Sequence, residues 1–100
     1  MKIMHKATGK VIKAFRRHLN YTQEFVAKNL NVTKETIANI ENGRVSVDIK
    51  RLYQISILFK VSLVHIVSLA SEILEKGNDD GLANAIRYLR HFNIELELAG

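Results

Sequence analysis

The sequence predicts an all-α fold: a compact five-helix bundle, then a C-terminal extension adding one more helix and ending in a candidate β-strand. Three observations carry that expectation. Apolar residues recur at helical spacing along most of the chain. Proline is absent, and the five glycines stand at 9, 43, 77, 81 and 100, so the clear breaks are Gly43 and the stretch Gly77 to Gly81. Short apolar segments open on Thr, Ser or Asp, close on Asn or Gly, and are joined by short connections, the pattern of a bundle packed in pairs. One hundred residues make one domain. A chain this short buries only about two-thirds of its unfolded surface, so its core is modest.

The first helix is expected from about Gly9 to Leu19, with Ile12, Phe15 and Leu19 on one face, and Asn20 suits a left-handed end. Thr22 is the N-cap of a second helix, Gln23 to Leu30, and Asn31 again takes a left-handed turn. Thr33 caps a third helix, Lys34 to Asn42, stopped by Gly43. Ser46 or Asp48 caps a fourth, running to about Phe59 with Ile49, Leu52, Ile55 and Phe59 inward. Ser62 caps a fifth, with Ile66, Leu69, Ala70 and Ile73 on one face and Gly77 as the stop. Leu82, Ile86 and Leu89 keep helical spacing to about His91. Phe92, Ile94, Leu96 and Leu98 then alternate with Asn93, Glu95 and Glu97, the period of a half-buried strand. The alternative is that Phe92 and Ile94 extend the last helix. The boundaries that follow are a domain over 1–76 and an extension over 77–100.

Several chemistries are excluded by composition. Without cysteine there is no disulfide, no thiolate zinc site and no Cys nucleophile, which fits a reducing compartment. No apolar run approaches the roughly 20 residues of a membrane helix. The basic N-terminus has no apolar stretch behind it, so no signal peptide is expected. His5, His18, His65 and His91 lack metal-ligand spacing, so no metal is expected. Ser46, Ser56, Ser62, Ser68 and Ser71 lack a nucleophile-elbow context, and Glu72 and Glu75 read as solvated helix charges. The chain therefore reads as a non-enzyme without catalytic residues or cofactor.

Charge is unevenly placed. Residues 1–60 hold 12 Lys/Arg against 4 Asp/Glu, a net of +8, while residues 61–100 hold 3 against 6, a net of −3. A basic first half suits a polyanion partner. A small basic spot of Arg87, Arg90 and His91 on the last helix reads as a solvated face.

Thr22 to Gly43 is two short capped helices around a tight turn, the helix-turn-helix spacing. Ala27 is small where the pair approaches, and Val26, Leu30, Val32, Ile37 and Ile40 form the seam. The second of the two helices then offers Lys34, Glu35, Ala38, Asn39 and Asn42 on one polar face. In this spacing, Thr22-Gln23-Glu24, Val26-Ala27, Leu30-Asn31-Val32-Thr33, Thr36-Ile37 and Ile40-Glu41-Asn42-Gly43 resemble the Cro/repressor-like family of phage and bacterial regulators. The resemblance extends upstream through Gly9, Ile12 and Arg16 and downstream through Leu52, Ile55, Phe59, Val61-Ser62 and Ile66, covering about residues 9–70.

That resemblance implies a lambda-repressor-like bundle and sequence-specific binding of double-stranded DNA, as a repressor dimer on an inverted repeat, in a cytoplasmic, nucleoid-associated protein that is bacterial or phage-encoded. It places Gln23 against a phosphate and as a brace for the recognition helix, and Lys34, Glu35 and Asn39 at base edges. Asn42 and Arg44 would hold the backbone beyond that helix, and Arg16 and Glu41 would form a partly buried ion pair. The caps Thr22 and Thr33 stand at helix N-termini, which favour phosphate. Asn pairs with adenine, Lys with guanine, and Glu accepts from cytosine. The strand residues Phe92, Ile94, Leu96 and Leu98 are the candidate dimer contact, since an open edge seeks a second strand. An antitoxin binding both DNA and a toxin protein, or a protein-interaction module on the same scaffold, are the competing readings. The sequence departs from the family with Asn31 for the usual glycine, Val47 for a common proline, and apolar Phe25 and Val64 at usually polar positions. Phe25 and Val64 are read either as contacts to the C-terminal segment or a second subunit, or, for Phe25, as a lone exposed aromatic.

Overall fold

The computed structural model describes residues 2–77, with Leu82 and residues 85–87 beyond them, and all regular structure among the described residues is helical. Five helices follow in order: α1 Lys2–His18, α2 Gln23–Leu30, α3 Lys34–Glu41, α4 Ile49–Phe59 and α5 Leu63–Lys76.

Helix α1 begins seven residues earlier than the sequence predicted. Ala7, Thr8 and Val11 are buried on the same face as Ile12 and Phe15, and α1 packs most extensively on α5. Short side chains at 7, 8 and 9 gave that turn a weak apolar signal. Gly9 is not a start signal but a contact residue in mid-helix. A Cβ there would overlap the Ile40 carbonyl oxygen and lie 2.7 Å from that of Glu41. Glycine costs a helix interior about 1 kcal/mol relative to alanine, and here it lets α1 lie against the end of α3.

The remaining boundaries follow local chemistry. Asn20 and Asn31 take left-handed conformations, with φ of 60° and 58°. Thr22 Oγ1 accepts from the Phe25 N–H at 3.0 Å, and Thr33 Oγ1 from the Thr36 N–H at 3.2 Å. Of the two candidate caps for α4, Asp48 serves, its Oδ1 accepting from the Arg51 N–H at 2.7 Å. Lys60 closes α4 at φ 57°, a left-handed residue that its type did not announce. Ser62 caps α5, Gly77 ends it at φ 73°, and the α4–α5 pair is bent by 108°.

The core gathers Ile12, Phe15, Ile37, Ile55, Phe59 and Ile66, with the Phe15 and Phe59 rings 6.3 Å apart. Leu82 and residues 85–87 are helical, and Ile86 is fully buried, so the extension contributes to the same core. One inward assignment fails: Ile49 is 69% exposed. It opens α4 one turn ahead of Leu52, and the inward arc is Leu52, Ile55, Ser56 and Phe59, leaving Ile49 uncovered. The strand expected at Phe92, Ile94, Leu96 and Leu98, and the basic residues Arg90 and His91, lie outside the described residues.

Candidate nucleic-acid interface

Helices α2 and α3 are eight residues each and are held apart by the turn 31–33. Val26, Ala27, Ile37 and Ile40 are buried between them and the core, while Leu30 and Val32 are half-buried. The Val32 N–H reaches back to the Ala27 carbonyl at 2.9 Å, which sets the angle at which α3 leaves the turn.

A polar network then fixes α3 to the rest of the molecule. Arg16 Nε donates to Glu41 Oε2 at 2.6 Å and Nη2 to Oε1 at 3.1 Å. The two side chains are 12% and 1% exposed. Arg16 Nη1 also donates to the Tyr21 carbonyl at 2.9 Å, and Gln23 Nε2 donates to Glu41 Oε1 at 3.0 Å. One carboxylate therefore joins the end of α1, the start of α2 and the end of α3. Removing a buried charge's partner costs about 3–5 kcal/mol, so this network holds α3 in one orientation. Gln23 was expected to brace the recognition helix and to meet phosphate; its Nε2 braces Glu41 directly.

Around that anchor lie the residues singled out by sequence. Lys34, Glu35 and Asn42 are exposed, Ala38 and Asn39 half-buried. Lys34 Nζ stands 3.7 Å from Glu24 Oε2 with both side chains exposed, an ion pair of little energetic consequence. Thr22 and Thr33 use their hydroxyls on helix N–H groups, and Thr33 Oγ1 also lies 2.9 Å from Thr36 Oγ1. Arg44 is exposed one residue past Gly43, whose φ of 72° turns the chain out of α3.

Two residues that sequence reasoning passed over enter here. An open groove of about 430 Å³ is lined by Lys13, Arg16, Arg17, Thr22, Gln23, Glu24 and Lys34. Lys13 and Arg17 come from α1. The available signal was their i, i+4 spacing, which continues Lys6 and Lys10 along one exposed helix face. Phe25 is 42% exposed, and its ring packs 4.5 Å from that of Tyr21, within the same subunit. Val64 is exposed. Glu72 pairs with Lys76 at 2.9 Å, and that hydrogen bond raises the Lys76 pKa above its ordinary value.

Two short capped helices, the second bearing an exposed polar face and locked by a buried ion pair to a preceding helix, define a helix-turn-helix DNA-binding protein. The helix-turn-helix family model matches residues 12–66, and the chain belongs to that family, in its Cro/repressor type. The chain is 30% identical over 82 residues to the ImmF control region 10 kDa protein of Bacillus phage phi105, covering 82% of this chain and 91% of that protein. It is 38% identical over 52 residues to an uncharacterized HTH-type transcriptional regulator of Archaeoglobus fulgidus, covering 52% of this chain and 73% of the relative. In fold it is similar to two crystal structures of the clp gene regulator ClgR from Corynebacterium glutamicum. Their TM-scores are 0.70 and 0.66 at 19% and 20% identity, over 85% and 69% of this chain and 92% and 90% of those chains. The chain is thus a helix-turn-helix transcriptional regulator of a family that binds double-stranded DNA, not an enzyme. Among the described residues no single helix is long and apolar enough to cross a membrane.

Proposed function

We propose that this chain is a sequence-specific repressor that binds an inverted-repeat operator as a homodimer. In this reading residues 1–76 read DNA and residues 77–100 hold the second copy. The observation that carries it is the polar face of α3, presented by a helix whose orientation is set by the buried Arg16–Glu41–Gln23 network. Lys34, Glu35 and Asn39 meet base edges in the major groove, where guanine, cytosine and adenine each offer a distinct partner. Asn42 and Arg44 hold the phosphate backbone past the end of α3. At the start of α2 and α3, Thr22 and Thr33 set the helix ends toward phosphate, and Gln23 keeps a second Nε2 hydrogen for it. The name of the phage relative, a control-region protein, supports a regulatory role.

Dimerisation follows from information content. One recognition helix contacts too few bases to single out a genomic site, and two copies related by a two-fold axis double the reading. Phe92, Ile94, Leu96 and Leu98 are the proposed contact, paired as an antiparallel ribbon across that axis.

Selection of bound duplexes from a random library tests this directly. The expected product is an inverted repeat with half-sites about one helical turn, roughly 34 Å, apart. A library that shows no enrichment overturns base reading, and a lone half-site overturns the dimer. Deleting residues 92–100 should give a folded monomer in sedimentation equilibrium. A truncated chain that remains a tight dimer places the interface on the helices instead.

A further inference from the structure

A second hollow, between the first half of α1 and the end of α5, differs in character from the groove beside α2. It measures about 210 Å³ and is lined by Lys6, Ala7, Lys10, Ile73, Leu74 and Gly77. Its aliphatic part is Ala7, which is buried, Ile73, which is half-buried, and Leu74, which is 37% exposed. Two exposed lysines, 6 and 10, stand one helical turn apart on the α1 side. The Lys6 stem already lies against the chain leaving α3, since a Cβ on Gly43 would meet Lys6 Cγ at 2.6 Å.

We infer that this hollow seats the chain's own C-terminal segment, with Ile94, Leu96 and Leu98 against Ile73 and Leu74, and with Glu95 and Glu97 beside the lysines of α1. Composition selects that occupant. Residues 92–100 hold two carboxylates and no Lys or Arg, and alternate Phe92, Ile94, Leu96 and Leu98 with Asn93, Glu95 and Glu97. A strand laid by its apolar face on the aliphatic part turns its carboxylates outward. Lysine stems at the rim then lift their ammonium groups to the same level. Reach permits the contact. Ile86 is buried in the core and Arg87 is the last described residue. From Arg87 to Ile94 an extended chain spans up to about 24 Å, while the radius of gyration is 12.9 Å. Other occupants fit less well. A backbone phosphate gains nothing from Ile73 and Leu74, and small-molecule sites run to about 300–1,000 Å³. A two-stranded ribbon is marginal unless its apolar face packs on a helix, and the hollow supplies that cover. The inference goes beyond the operator reading and stands without it, because ribbon pairing uses backbone edges and seating uses side chains.

The chain has no cysteine, so disulfide trapping reads the contact without background. In the full chain, Leu74→Cys is combined in turn with Ile94→Cys, Leu96→Cys and Leu98→Cys and oxidised with glutathione disulfide at low protein concentration. A disulfide closes where the two Cα atoms come within about 4.4–6.8 Å. At least one pair should close within single chains, roughly tenfold faster than when Ile57→Cys, on exposed α4, replaces Leu74→Cys. Reversing the carboxylates, Glu95→Lys with Glu97→Lys, should slow that closure, and adding Lys6→Glu should recover part of the rate. Closure no faster than from Ile57→Cys overturns the seating. A disulfide joining position 74 to the segment of another chain, found by peptide mass, overturns it too. So does a rate indifferent to charge reversal. Sedimentation equilibrium reports the ribbon separately, so the two claims fail independently.

Discussion

The two sides of this small domain break the simple partition of residues in opposite directions. At the junction of α1, α2 and α3 a carboxylate, Glu41, is almost wholly buried, with Arg16 over it. On the outer side of α4, by contrast, Ile49, Tyr53 and Ile57, four residues apart, are exposed. The buried charge would cost several kcal/mol if it were alone, and it persists because four hydrogen bonds in its network join three segments. The exposed apolar side chains cost little, since apolar groups make up more than half of an ordinary protein surface. The orientation of α3 is therefore set at the polar anchor, where Arg16, Gln23 and Glu41 meet, and not by the apolar stripe on α4.

Five variants probe that contrast, and thermal or denaturant unfolding reads four of them. The largest effect is expected from Glu41→Ala, which strands Arg16 and should cost about 3–5 kcal/mol. Replacing both partners together, Arg16→Met with Glu41→Leu, should recover part of that loss. If Glu41→Ala proves as mild as a surface change, the anchor does not set the orientation of α3. Next comes Gly9→Ala. Helix propensity alone predicts a gain of up to about 1 kcal/mol, whereas the contact with the backbone of Ile40 and Glu41 predicts a loss of about 1–3 kcal/mol. The sign of the measured change decides. On the DNA side, Arg44→Ala should weaken operator and random duplexes alike and lower the salt slope by about one unit. Smallest of all, Tyr53→Ser on the outer face of α4 should change unfolding free energy by no more than about 0.5 kcal/mol. A larger loss at high protein concentration would reveal that a second copy covers this face.

Much of this arrangement was legible because its signals are local. Thr22, Thr33 and Ser62 act as caps where their types and spacing indicated, and Asn20, Asn31 and Gly77 turn the chain where left-handed residues were expected. The seam of Val26, Ala27, Ile37 and Ile40 follows from helical periodicity. Other features depend on neighbours distant in sequence and could not be read from spacing. The early start of α1 rests on Ala7 and Thr8, whose small side chains carry little hydrophobic signal until α5 covers them. Ile49 has the period of a core residue, but no described residue covers it at the first turn of α4. Lys60 adopts a left-handed conformation that lysine does not advertise. The groove that unites Lys13 and Arg17 with Gln23 and Lys34 exists only once α1 is laid beside α2.

The proposed reading of bases by the anchored face of α3, with Asn39 at its middle, is tested by the affinity of Asn39→Ala for the selected operator and for random duplex, compared with wild type at one salt concentration. The prediction is a loss of about 1–3 kcal/mol on the operator, little change on random DNA, and relaxed preference at a single base position. Equal losses on both duplexes would contradict it, leaving Asn39 as a backbone contact and α3 without a reading role at that position.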